Sequence, residues 1–209
     1  VTGASTREIT ATSGSTLNIN GATITARDGI EGITITNSRG TLNQAKVTSD
    51  TLALAVNRLS SSTQGSTVTA TGGFYRGGEA GAQVAGMSTL TLINTEITGT
   101  GVNSVGLSIL GGDVRATADT RISGDRAGVR MARDPSALGN NSLTLDNATV
   151  EGRNGAAIVV DTGISAKIDV LNNSTLQGKD NQLLLVQGAS TANMTVANST
   201  LKGNVNATG

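Results

Sequence analysis

Apolar and polar residues alternate in short runs along the whole chain. Leu143 and Leu145 flank Thr144, Val150 follows a turn at Asn147, and Ile158 and Val160 come after Gly152 and Gly155. A period of two over a few positions predicts strands with one buried face. The later run recurs as Ile33 and Ile35, Leu52 and Leu54, Leu107 and Ile109, Val129 and Met131, and Leu183 and Leu185. Gly, Asn and Asp between the runs are turn residues. No unit holds ten or more residues at helical period rich in Ala, Leu, Glu and Lys, so a crossover helix has nowhere to form. The pattern predicts an all-β chain with about three short strands per unit.

The units are copies of one phrase. Ser15-Thr-Leu-Asn-Ile-Asn-Gly-Ala-Thr-Ile24 returns as Ser88-Thr-Leu-Thr-Leu-Ile-Asn-Thr-Glu-Ile97 and Asn141-Ser-Leu-Thr-Leu-Asp-Asn-Ala-Thr-Val150. Taking the first apolar residue of each copy marks Leu17, Leu42, Val68, Leu90, Val114, Leu143, Ile168 and Met194, a mean spacing of about 25 residues. A leucine-rich repeat fails the test: Asn140, Met87 and Ser165 stand where its upstream Leu belongs, and Asn147 comes one residue early. A single-stranded parallel β-helix fits better, as a solenoid of about eight coils. Stacked at about 4.8 Å per coil, it would be a rod section roughly 40 Å long.

Four residues after the marker stand Asn94, Asn147, Asn172 and Asn198, with Gly21 and Gly72 equivalent. Both residue types tolerate positive φ, so the column reads as a structural turn ladder in which stacked amides hydrogen-bond. Residues 1–209 read as one β-helix section of a longer chain, with loops protruding near 57–65, 75–82 and 133–141.

Composition narrows the chemistry. Phe74 and Tyr75 are the only aromatic residues and Gly numbers 28, so the core must be thin. Fifteen Lys plus Arg balance fifteen Asp plus Glu, which argues against a nucleic-acid binder. Without Cys or His there are no disulfides, thiolate nucleophiles, imidazole bases or zinc sites built on them. No apolar run reaches membrane length. No catalytic, cofactor-binding or metal-binding residue is assigned.

The remaining motifs each have a bland reading. Asn-x-Ser/Thr matches such as Asn147-Ala-Thr149 follow from the turn Asn preceding a Thr-rich strand. Gly111-Gly-Asp113 does not recur at the nine-residue spacing of a calcium roll. Thr67, Thr69, Thr89 and Thr91 begin a hydroxyl ladder of the ice-binding kind, which breaks at Asp113 and Arg115. The fifth coil holds Arg115, Arg121, Arg126, Arg130 and Arg133 among four Asp, either a contact for an anionic glycan or protein or, as the balanced signs favour, surface ion pairs. Phe74 falls near the inward position of Ile97 and Val150 and reads as core, leaving Tyr75 and Arg76 as candidate partner contacts.

The cadence Leu-Thr-Leu-Asp-Asn-Ala-Thr-Val-Glu-Gly-Arg-Asn-Gly-Ala-Ala-Ile-Val-Val, residues 143–160, resembles the coils of pertactin-like autotransporter passenger domains of Gram-negative bacteria. The resemblance implies a right-handed β-helix, secreted by the type V route through a C-terminal translocator barrel elsewhere in the parent chain. It implies display at the bacterial cell surface or release outside it. The expected function is a non-enzymatic virulence scaffold for adhesion or for capturing a host serum or complement protein, with a host protein or matrix glycan as partner. The alternatives are a carbohydrate-active β-helix using carboxylates of adjacent coils, and a stalk supporting a catalytic domain elsewhere.

Overall fold

The computed structural model describes residues 1–3, 5–136 and 139–208. Three all-parallel sheets run side by side along one axis, and about eight coils of about 25 residues stack to form them. The chain is a parallel β-solenoid of the right-handed type. Face 1 stacks Thr16–Asn20, Arg39–Asn43, Thr67–Thr71, Thr89–Ile93, Asp113–Thr117, Asn141–Asp146, Ser165–Leu171 and Thr191–Ala197. Face 2 stacks Ser5–Thr6, Thr23–Ala26, Lys46–Ser49, Phe74–Gly77, Glu96–Gly99, Arg121–Gly124, Thr149–Gly152 and Thr175–Gly178. Face 3 stacks Ile9–Thr12, Ile33–Thr36, Leu52–Asn57, Ala80–Ala85, Val105–Leu110, Ala127–Ala132, Ala156–Val160, Gln182–Gln187 and Asn204–Thr208. The only helical element among the described residues is the 3-10 turn Lys179–Asn181. No helix is long and apolar enough to cross a membrane.

In-register stacking turns the alternation into apolar columns. Face 2 contributes Ile24, Val47, Tyr75, Ile97, Ile122, Val150 and Leu176, one per coil and all buried. Face 3 contributes two columns, one through Ile33, Leu54, Leu107, Val129 and Ile158, the other through Ile35, Val56, Ile109, Met131 and Val160. Burial of Val, Leu and Ile at about 25 cal/mol per Å² is the main stabilising term, and each coil lends its neighbours one side of that core.

Three details differ from the sequence reading. In the second coil Gly40, not Leu42, pairs with Leu17 and Val68. Its missing side chain is replaced by Ile35, whose Cδ1 would lie 2.5 Å from a Cβ at Gly40. The paired inward residues of face 3 are Leu54 with Val56 and Leu184 with Val186, rather than Leu52 with Leu54 and Leu183 with Leu185. The cause is a column of small inward residues, Ala53, Gly81, Gly106, Gly128 and Ala157, one step earlier. A Cβ at Gly81 or Gly106 would stand 2.8 Å from Ile97 or Ile122 of face 2. The residues preceding that column, Ala80, Val105, Ala127 and Ala156, pack in a second cluster outside the main core with Val159, Leu52 and Leu185. Third, the expected loop at 75–82 is two strands, Phe74–Gly77 and Ala80–Ala85, joined through Gly78 and Glu79.

Each corner has its own chemistry. Between faces 3 and 1, buried hydroxyls bond the coil beneath: Ser15 N–H donates to Ser38 Oγ at 3.2 Å, Ser38 N–H to Ser66 Oγ at 3.2 Å, and Ser66 N–H to Ser88 Oγ at 3.0 Å. Asn141 fills this role for Gly111 at 3.1 Å. Between faces 2 and 3 stand Gly77, Gly99, Gly124, Gly152 and Gly178, where a Cβ would overlap a carbonyl of the following segment. Between faces 1 and 2, the expected ladder residues Asn94, Asn147, Asn172 and Asn198 have φ of 48°, 56°, 50° and 50°. Gln44 and Ala118 complete the column at 50° and 53°. Asn198 Nδ2 reaches Asn172 Oδ1 at 3.5 Å, but Asn172 Nδ2 turns to Asp146 at 2.8 Å. Backbone geometry therefore selects this column, with little contribution from stacked amides.

Candidate functional site

Two long excursions leave the coils at the same corner, between faces 3 and 1. One runs from Arg58 to Ser66 and the other from Arg133 to Asn140, matching the loops expected at 57–65 and 133–141; residues 137 and 138 of the latter lie outside the described residues. They meet. The Arg58 guanidinium pairs with Asp134 at 4.0 Å and also donates to Ser136 Oγ, which in turn donates to Asp134. Its other amino group donates to the carbonyls of Leu59, at 2.9 Å, and of Ser62. The two side chains are only 4% and 9% exposed, so this is a desolvated clamp. Arg58 lies across the turn at Gly86, where a Cβ would stand 2.8 Å from Nε, and that Nε is buried without an acceptor among the described residues.

Asn37 braces the base of the first excursion. Its Nδ2 donates to Ser62 Oγ at 2.7 Å and to Gln64 O at 3.0 Å, while its Oδ1 accepts from Leu59 N–H. Beside this loop runs an open groove of about 650 Å³. Its floor is the row Thr16, Arg39 and Thr67 on three adjacent face 1 strands, and its wall is Thr63, Gln64 and Gly65 with Met87. No acidic side chain lines it, and Arg39 has no ion pair among the described residues.

The other expected contacts are dispersed. Arg115 lies on face 1 and pairs with Asp146 at 2.7 Å; Arg121 lies on face 2; Arg126 sits at the corner between faces 2 and 3; Arg130 lies on face 3, paired with Asp161; Arg133 opens the second excursion. One coil wraps the whole circumference, so five arginines close in sequence cannot form one patch. Tyr75 is fully buried, in register with Val47 and Ile97, and cannot touch a partner. Phe74, expected in the core, faces outward instead. The Arg76 guanidinium lies 4.1 Å from its ring centroid and forks onto Glu96 at 2.8 and 3.2 Å. That hydrogen bonding holds the Glu96 carboxyl below its ordinary value.

Glu96 and Glu151 line one depression of about 270 Å³ on face 2, with Arg121 between them. Asp125, at the corner between faces 2 and 3, is held below the usual carboxylate range by the Asn103 N–H at 2.9 Å and by the Asn154 amide. No group of three or more acidic residues among those described is gathered to hold a metal ion. Three features escaped the sequence reading. Arg58 and Arg39 each look like an ordinary polar residue beside a turn, and Val102 stands 88% exposed on the connection Thr100–Ser104 between faces 2 and 3. Coil length gave no signal, since the marker spacings around Arg39, Arg58 and Val102 are 25, 26 and 24 residues, all close to the mean. The chain matches no known protein family, no curated protein and no solved structure.

Proposed function

We propose that this chain is a rigid, non-enzymatic scaffold that presents the corner between faces 3 and 1 to an extracellular macromolecule. The observation that carries this reading is the clamp. Two excursions separated by 76 residues from Arg58 to Asp134 are joined by a buried guanidinium, an arrangement the solenoid itself does not need. Recognition loops on a rigid scaffold gain affinity by being ordered before they bind. The passenger-like cadence of residues 143–160 supports display outside a Gram-negative cell, with a host protein or matrix component as the partner. The test is capture from serum and matrix extracts on the immobilised chain at physiological salt, read by mass spectrometry. A partner retained by the native chain and lost when 59–64 is replaced by a short Gly-Ser turn is the expected result. Equal capture by both chains would refute the assignment of this corner.

A second reading rests on Glu96 and Glu151 in their shared depression, which suits cleavage of a glycan by two carboxylates. It is the weaker one, because Arg76 keeps Glu96 ionised and so restricts it to the base or nucleophile, and nothing in the depression marks Glu151 as the acid, with Arg121 on the strand between them. Release of reducing ends from a polysaccharide panel, abolished in Glu151→Gln, would favour it instead.

A further inference from the structure

We propose that the groove beside the clamp binds an acidic saccharide, with Arg39 as the seat for a uronate or sialate carboxylate. This deepens the reading of the corner between faces 3 and 1 as a binding site and rests on it. Apart from Arg39, the lining side chains that can hydrogen-bond are those of Ser15, Thr16, Asn37, Ser38, Thr63, Gln64 and Thr67, all uncharged, and Met87 is the one large apolar side chain. A peptide ligand draws its affinity from a few buried apolar or aromatic anchors, and this groove offers a single place for one. A sugar chain instead presents a dense set of hydroxyl and amide groups, which this lining matches in kind.

The charge selects among sugars. Arg39 is exposed on face 1, between Thr16 and Thr67 of the adjacent strands. Continuing along its row, the next positions are Thr89 and then Asp113, so the first carboxylate on that line is three strands away, about 14 Å. A guanidinium without a partner carboxylate, at the floor of a groove without acidic groups, fits a planar carboxylate through its fork. The walls are already held: Ser38 is buried and bonded to Thr36 O at 3.0 Å, and Asn37 ties the loop wall down at Ser62 and Gln64. Little ordering is left to be done on binding.

The experiment is fluorescence anisotropy on the full chain with two labelled probes, a hyaluronan hexasaccharide for the uronate source and a sialic acid trimer for the sialate source. Neutral chitohexaose and a short poly-glutamate serve as competitors. Saturable binding of at least one acidic saccharide is expected, displaced by its unlabelled form and by neither competitor. Arg39→Gln should weaken it about tenfold or more, and Arg39→Lys should retain part of it, since a charged hydrogen bond is lost in one case and only its fork in the other. Circular dichroism of both variants checks that the coils are intact. Absence of binding by both probes, equal displacement by poly-glutamate, or unchanged affinity in Arg39→Gln would overturn the saccharide assignment. If serum capture then survives Arg39→Gln but is lost on replacing 59–64, the binding corner between faces 3 and 1 stands and only its saccharide ligand falls.

Discussion

Tyr75 is the largest side chain in a core otherwise made of Val, Leu, Ile, Ala and Met131, and its hydroxyl has no hydrogen-bond partner among the described residues. Burial raises its pKa, so it stays neutral throughout the accessible pH range. A buried unpaired hydroxyl costs about 1–3 kcal/mol, whereas the ring itself fills space that neighbouring coils cannot close. Tyr75→Phe is therefore expected to leave the urea midpoint unchanged or raise it, and Tyr75→Ala to cost about 3–5 kcal/mol by analogy with aromatic truncations. Equal losses in both would show that the hydroxyl has a partner. Glu96 gives a pH dependence. Its folded-state pKa is lowered by Arg76, so its stabilising contribution is complete above the unfolded value, ordinarily 4.5, and disappears as pH falls through the lowered one. Both side chains are about two-fifths exposed, so solvent screening keeps the effect small. Thermal melts from pH 6 to pH 3 should lose slightly more stability in the native chain than in Glu96→Gln.

The strands and corners assign most residues a local duty, and the two excursions are where that duty lapses. Among the described ion pairs, Arg58 with Asp134 is the only one with both side chains below a tenth exposed. Removing the Asp134 carboxylate leaves the Arg58 guanidinium in a dry setting with only neutral groups, the Leu59 and Ser62 carbonyls and the Ser136 hydroxyl, at a cost on the order of 3–5 kcal/mol. Arg58→Met and Asp134→Asn should each speed proteolytic nicking within both excursions, and the double variant should nick little faster than either single one. Additive rates would mean that the two loops are held independently. The circular dichroism spectrum should stay that of the native coils, because the clamp lies outside the ladders.

Across the whole molecule stability is distributed as a stack, each coil bonded to the one above and the one below. Inner coils bury their columns completely, while the last strands, Thr191–Ala197 and Asn204–Thr208, are largely exposed, with Val196 at 43% and Val205 at 59%. Opening should therefore proceed from the end inward. Hydrogen exchange by mass spectrometry should find peptides covering 105–110 and 127–132 protected longest and those covering 191–208 exchanging first. Uniform exchange across all coils would mean a single cooperative unit.

The period of about 25, the three strands per coil and the left-handed turn column were all legible in the sequence, because each is a local rule repeated. Alternation needs only the pleat, and positive φ at Asn94 or Asn147 needs only a short polar side chain or none. Where local pattern left two registers open, the packing decided. Phe74 and Tyr75 differ by one position, and it is the column of Val47 and Ile97 that draws Tyr75 inward and leaves Phe74 to Arg76. The candidate site was less legible for the same reason. Residues adjacent in sequence are spread around the coil, as the five arginines of the fifth coil are, while Arg58 and Asp134, or Thr16 and Arg39, become neighbours only when the coils stack. The repeat determined the scaffold; contacts between coils, which no single repeat encodes, decided where the clamp and the groove beside it lie.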